Sequence, residues 1–221
     1  MPVFRSSSGD GTLAFVSYKA TYSQFNQSDE WKELNINLTP RIFLRALTKA
    51  SNPRRAYFVV REPYARIESC FKDKYRKQPQ RIAVDGFYWQ ACHRLIYPYI
   101  GITESDSDQK IAEAFLNFSF EDFVKLLPKL HSFDGHFQPQ HWSNRLTLGN
   151  KRLLALPGCE IIRIEDRERF AEIPGIRVDS YANSTKHLNA KTVWTPEMNE
   201  IVRKIYRHDF TLGQYPNEPK S

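Results

Sequence analysis

The segment Ala56-Tyr57-Phe58-Val59-Val60 constrains the fold more than any other, because five consecutive apolar residues closed by Arg61 and Pro63 read as a buried β-strand. Upstream, LAFVS (13–17) reads as a second short buried strand. Between them, residues 39–50 place Pro40 at a helix start and Ile42, Phe43, Ala46 and Leu47 at helical spacing, before the breaker SNP. Strand, helix, strand in that order implies a crossover and a parallel pair. Pro63, tolerated in the first turn of a helix, continues the alternation. The predicted class is therefore α/β.

The same reading extends along the chain. Ser119 and Asp122 form a capping pattern ahead of Phe123, Leu126 and Leu127. CEIIRIE (159–165) reads as a third buried strand. Thr195 as N-cap and Pro196 open a last helix whose Met198, Ile201, Val202 and Ile205 share one face. Residues 1–11, with SSSGDG, read as a flexible leader, and residues 12–221 as a single domain, since no Gly-, Ser- or Pro-rich linker divides them. TESDSDQ (103–109) reads as a surface loop.

An excess of 32 Lys and Arg over 25 Asp and Glu gives a net charge of +7, which favours an anionic partner without choosing among nucleic acid, phosphorylated cofactors and acidic polysaccharide. Three widely separated cysteines without a C-x-x-C pair read as reduced and structural, and no metal site is expected. His131, His136 and His141 recur every five residues, a spacing that does not align on a helix. No apolar run approaches the roughly 18 residues of a membrane span, and the N-terminus lacks a secretory h-region, so the expected location is the cytoplasm.

Downstream of the AYFVV strand, Tyr64, Ile67, Phe71 and Tyr75 recur at three- and four-residue steps and form a buried helical stripe. Arg66 and Ser69 lie on another face. Arg61 sits at the carboxyl end of the strand, where ligands of α/β sheets bind. Unsatisfied N–H groups of the next helix and a guanidinium fork suit a phosphate there.

The pattern Arg-x-Pro-x-x-Arg-x-x-Ser, directly after YFVV, resembles the 3′-phosphate-binding segment of sulfotransferases that use 3′-phosphoadenosine 5′-phosphosulfate (PAPS), especially the Golgi carbohydrate sulfotransferases and their bacterial relatives. The resemblance assigns the 3′-phosphate contacts to Arg61 and Ser69. It also implies an upstream loop around the 5′-phosphosulfate, and AFVSYKATYSQF fits that place, with Lys19, Ala20, Thr21, Tyr22 and Ser23 as the loop. The family commonly carries Pro before the Lys and a small residue, often Gly, two after it. Here those positions hold Tyr18 and Thr21. FEDFVKLL, DGHFQPQ, EIIRIED, YANST and MNEIVRKIYRHDF follow in the family's order, so the likeness covers about residues 13–215. YANST adds Asn183 and Ser184 as candidate cofactor contacts, with an ordinary loop turn as the alternative reading. The implied fold is a three-layer core with a parallel sheet flanked by helices, related to P-loop nucleotide kinases.

Sulfuryl transfer to a hydroxyl needs in-line placement of the acceptor oxygen, charge stabilisation at the leaving oxygen and a base for the acceptor proton. Lys19 is the candidate for charge stabilisation, and Ser23 for a hydrogen bond to the 5′-phosphate. His136 leads as base, with His141, Asp134 and Glu62 as alternatives. Lys186 and His187 are candidates to face the acceptor, and FYW (87–89) reads as core packing or a sugar platform. The expected partner is a carbohydrate or other hydroxyl acceptor, with no nucleic acid and no integral membrane segment. A non-enzymatic binder of acidic glycan or nucleic acid is the competing reading. A phosphoryl-transfer enzyme is disfavoured because no G-x-x-x-x-G-K-[ST] segment is present.

Overall fold

The computed structural model describes residues 2–34, 56–84, 86–145, 147–148, 151–152, 158–177 and 192–218. In chain order its described elements are β1 (Val3–Ser6), β2 (Leu13–Val16), α1 (Tyr22–Asn26), β3 (Trp31–Glu33), β4 (Ala56–Val60), α2 (Pro63–Phe71) and α3 (Ala91–Arg94), then α4 (Asp108–Asn117), α5 (Phe120–Leu130), the short β5 (Thr147–Leu148) and β6 (Lys151–Arg152), β7 (Cys159–Arg163), α6 (Arg167–Ala171) and α7 (Pro196–Gly213). The chain is α/β. The helix expected over 39–50 lies outside the described residues. Contacts divide the chain into two compact units, one of Met1–Glu62, Pro139–Asn183 and His208–Tyr215, the other of Pro63–Gln138, Ser184–Arg207 and Pro216–Ser221.

The first unit holds a five-stranded mixed sheet in the order β3-β1-β2-β4-β7. The strands read from sequence form its parallel part: β2 pairs with β4 in the register Val16↔Val59, and β4 with β7 in the register Val60↔Arg163. All five residues of β4 are buried, as expected of a central parallel strand. β7 was expected to be buried as well, but it lies at the sheet edge and only Ile162 is fully enclosed.

Within the expected leader, residues 3–6 form a strand. Val3–Ser6 pairs antiparallel with both β2 and β3, and Phe4 is completely buried. The Ser-, Gly- and Asp-rich composition is that of a hairpin turn. Ser6 N donates to Thr12 O (2.9 Å), Thr12 N donates to Asp10 Oδ1 (2.8 Å), and Gly9 and Gly11 take φ of 80° and 81°. One face of the sheet packs Phe4, Ala14, Val16, Tyr57, Val59 and Ile162 with Phe25, Trp31, Phe170 and Ile173. On the other, the Phe15 and Phe58 rings stack with centroids 4.6 Å apart.

The second unit is helical and centred on Tyr75. This ring is fully buried and meets Phe71, Phe115, Phe118 and Phe123 at centroid distances of 5.2 to 6.1 Å, and its hydroxyl donates to Cys92 O (2.9 Å). The stripe Tyr64, Ile67, Phe71, Tyr75 is buried as the spacing predicts, with Tyr75 in a π-helical turn, Lys72–Lys77, that continues α2. Ser119 caps α5 by accepting from Asp122 N (3.0 Å). Phe123 and Leu127 are buried, whereas Leu126 is half-buried. At the start of α7, Thr195 Oγ1 accepts from Met198 N (3.3 Å); Met198 and Val202 are buried, and Ile201 and Ile205 half-buried. None of the three cysteines forms a disulfide. Trp89 is buried and donates to Asp108 Oδ1 (2.8 Å), while Tyr88 is 68% exposed, so the FYW segment divides between core and surface.

His93 is a buried titratable group with no solvent exposure. Its Nδ1 accepts from Gln90 N (3.0 Å) and its Nε2 lies 2.9 Å from Lys74 O, so one ring nitrogen accepts, the other donates, and the ring is neutral. Burial is the main cause that pushes its pKa down to about 4. The unfolded chain takes up this proton near pH 6.5, so stability is full above that value and falls as pH drops toward about 4. The displacement corresponds to about 3 kcal/mol. Urea denaturation at pH 7.5 and 4.5 should show a stability difference larger by about 2 kcal/mol in the wild type than in His93→Gln. Equal differences would assign the acid sensitivity to other groups.

Candidate active site

The carboxyl ends of β2, β4 and β7 deliver three short segments to one edge of the sheet in the first unit. After β2 the chain turns through Ser17 and Tyr18, with Ala20 N donating to Ser17 O (2.9 Å), and enters the five-residue α1. Lys19 and Thr21 both take φ of 67°. This left-handed conformation is costly for a side chain with a Cβ, and more so for a β-branched one. Thr21 stands where the family resemblance calls for a small residue, often Gly, and its φ supplies the reason. Its hydroxyl donates to Ala20 O (2.6 Å), a local bond that offsets part of the cost.

Arg61 follows β4 directly. Its guanidinium Nη1 donates to Lys19 O (3.0 Å), which joins the two segments that the sequence marked as donor-binding. Its backbone is held on both sides by one side chain: Arg61 N donates to Gln140 Oε1 (2.9 Å), and Gln140 Nε2 donates to Arg61 O (2.7 Å). The next amide, Glu62 N, donates to Glu165 Oε1 (2.9 Å), two residues beyond β7. Glu165 Oε2 accepts from the Tyr215 hydroxyl (2.9 Å), whose pKa is pushed up by burial first and then by the Glu165 charge and hydrogen bond. Gln140 and Glu165 thus take the two amide N–H groups that precede the helix, those of Arg61 and Glu62, and Pro63 has none.

The other loop residues divide by role. The Tyr22 hydroxyl donates to Glu33 Oε2 (2.8 Å), and burial, then that bond and charge, push its pKa up to about 12, so this side chain braces the loop against β3. Ser23 is half-buried in α1, and Ala20 is fully buried.

Ser69 and His136 belong to the second unit. Ser69 is half-buried in α2. Arg66, 1% exposed, donates to Gly135 O (3.2 Å) and thereby braces the DGHFQPQ segment. The downstream cations are likewise engaged: Lys72 pairs with Glu68, Lys74 is buried against Gln90, and Arg76 donates to Phe115 O (2.6 Å) and Phe118 O at the end of α4. His136 N donates to Asp134 Oδ1 (2.7 Å) and its Nδ1 lies 2.6 Å from the same oxygen. Burial alone would raise the Asp134 carboxyl, but the hydrogen bonds and charge of His136, with the Lys74 charge, hold it below its ordinary value. An ionised Asp134 accepts from His136 Nδ1, which in the neutral ring makes Nε2 the acceptor nitrogen.

Asn183 and Ser184, with Lys186 and His187, lie outside the described residues. Among the described residues no cluster of His, Cys, Asp or Glu could hold a metal, and no helix is long and apolar enough to cross a membrane. Three residues that hold the backbone around Arg61 escaped sequence reasoning: Gln140, Glu165 and Asp209, which accepts from Gln140 N. Each stands inside a segment that follows the family order, but a lone Gln or carboxylate carries no spacing signal.

A family model described as Sulfotransferase family matches residues 15–216. No curated protein and no solved structure matches the chain.

The left-handed Thr21 yields a direct test. Thr21→Gly should raise stability in urea denaturation by about 0.5 to 1 kcal/mol, because the backbone cost of φ > 0 is removed. A loss instead would show that the hydroxyl bond to Ala20 outweighs the strain.

Proposed function

The chain belongs to the sulfotransferase family, and on that premise we propose that it transfers a sulfuryl group from PAPS to a hydroxyl of a carbohydrate or glycosylated metabolite. Family membership makes it a transferase that moves sulfuryl groups. The observation that carries the finer reading is the hydrogen bond from Arg61 Nη1 to Lys19 O. It ties together the segments that the family resemblance gives to the 3′-phosphate and to the 5′-phosphosulfate.

PAPS supplies a sulfuryl group on an activated phosphate–sulfate anhydride. In this reading the Arg61 guanidinium and the Ser69 hydroxyl grip the 3′-phosphate, and charge-assisted bonds of this kind are the strong ones. Lys19, Ala20, Thr21, Tyr22 and Ser23 form the 5′ loop, with the Ser23 hydroxyl on the phosphate. The Lys19 ammonium steadies negative charge developing on the leaving oxygen, a contact that strengthens toward the transition state. Asn183 and Ser184 add donor contacts. His136 Nε2 takes the proton of the acceptor hydroxyl, while Asp134 fixes the tautomer and stabilises the imidazolium that forms. No step assigned to these residues calls for a metal.

Isothermal titration calorimetry with adenosine 3′,5′-bisphosphate and adenosine 5′-monophosphate separates the 3′-phosphate contribution. The wild type should prefer the bisphosphate, and Arg61→Ala should lose about 10- to 100-fold of that preference, the worth of a hydrogen bond to a charged group. Salt-sensitive binding without any dependence on the 3′-phosphate would replace this reading with the basic-surface binder. With PAPS and a carbohydrate acceptor, His136→Asn should lower kcat by about 100-fold or more while bisphosphate affinity is unchanged. An undiminished kcat would move the base elsewhere.

A further inference from the structure

The side chain of Asp209 in α7 has no solvent exposure, and no role assigned above uses it. Both of its oxygens are nevertheless engaged. Oδ2 accepts from Gln140 N (2.7 Å), and Oδ1 accepts from His141 N (2.7 Å) and lies 2.8 Å from His141 Nδ1. Two consecutive peptide N–H groups at the start of the turn Gln140–Arg145 therefore end on one buried carboxylate, an arrangement that fixes the position of that backbone. His141 is further flanked by the His208 ring at a centroid distance of 4.9 Å.

Gln140, held in this way and 4% exposed, directs its side-chain amide at Arg61. Pairing the amide oxygen with Arg61 N and the amide nitrogen with Arg61 O is a two-point contact. It fixes both the location and the rotation of the Arg61 peptide just beyond the strand, where sheet pairing ends. The guanidinium then reaches Lys19 O.

We propose that Asp209 and Gln140 are positioning residues for the donor's 3′-phosphate. The buried carboxylate orients Gln140, Gln140 clamps the Arg61 backbone, and the clamp aims the Arg61 guanidinium. The inference rests on the reading of Arg61 as a 3′-phosphate ligand, and adds that two residues without ligand contact set its affinity. A binding group left about 1 Å from its productive position loses on the order of 100-fold in extreme cases, so removing one clamp is expected to cost less than deleting Arg61.

The test is a double-mutant cycle between Gln140→Met and Arg61→Ala, with Asp209→Asn as a further single variant. Gln140→Met keeps the length of the side chain and removes both bonds to Arg61. For each protein the affinity ratio of adenosine 3′,5′-bisphosphate to adenosine 5′-monophosphate is measured by calorimetry, well below its own melting temperature. The expected result is a roughly 10-fold smaller ratio in Gln140→Met, and no further fall when that change is added to Arg61→Ala. Asp209→Asn should reduce the ratio in the same direction where it folds. A merely structural role would weaken both nucleotides alike in both backgrounds and leave the ratio intact. That outcome overturns the proposal while the donor reading stands. A wild type that does not distinguish the two nucleotides removes the donor reading and this inference with it.

Discussion

The parallel pairing of β2 with β4 is the constraint from which the rest of the site follows. Its register, Val16 opposite Val59, ends the two strands side by side. Lys19, three residues beyond Val16, then comes within one hydrogen bond of Arg61, two beyond Val59. The pairing of Val60 with Arg163 adds the third strand in the same way, so that Glu165 reaches the amide of Glu62. Parallel strands of this sort all finish at one edge, and the side chains just past their ends converge there without any further device. The segments between the strands carry length. The register decides which residues meet.

That logic explains what was legible in the sequence. AYFVV could be read because a strand covered on both faces is apolar throughout, and the Arg-x-Pro-x-x-Arg-x-x-Ser pattern could be read because its spacing is local. Val3–Ser6 could not, since four residues ahead of a Gly- and Asp-rich turn give the same composition as a loose terminus; only the buried Phe4 distinguishes them. Gln140 and Asp209 were illegible for another reason. Their partners lie 79 and 69 residues away in the chain, and nothing at either end announces the pairing. Arg66 shows the limit from the opposite side: its spacing placed it with Ser69 on a face apart from the buried stripe, yet it is 1% exposed and donates to a backbone carbonyl.

The cations after β4 therefore cannot be counted as one positive surface. Lys72 and Lys74 meet a carboxylate and an amide oxygen of the same unit. Arg76 ends the helix α4 by taking its last carbonyls, with its guanidinium carbon 4.4 Å from the centroid of the Phe71 ring, and burial lowers its pKa. A guanidinium suits that task because its planar donors reach several carbonyls at once and keep their charge when partly desolvated. Such residues raise the net charge of the sequence while serving the core, so +7 overstates what is offered to a ligand. Arg61 differs in kind. It stands at a strand end, half-buried, on a backbone held by another side chain.

The two histidine–carboxylate pairs make a similar distinction between like contacts. Both rings place Nδ1 within 2.8 Å of an Asp oxygen, and both rings are about one-fifth exposed. Asp209, however, also receives two peptide N–H groups, one on each oxygen. Asp134 accepts a single peptide N–H, that of His136 itself, and its lowered pKa derives from the same ring that a proton would charge. A carboxylate whose principal partner is the imidazole strengthens that contact as the ring becomes cationic, which is the requirement for a base that works in the transition state. The same side-chain pair thus stands in two settings, and the difference lies in how many backbone amides each carboxylate already holds.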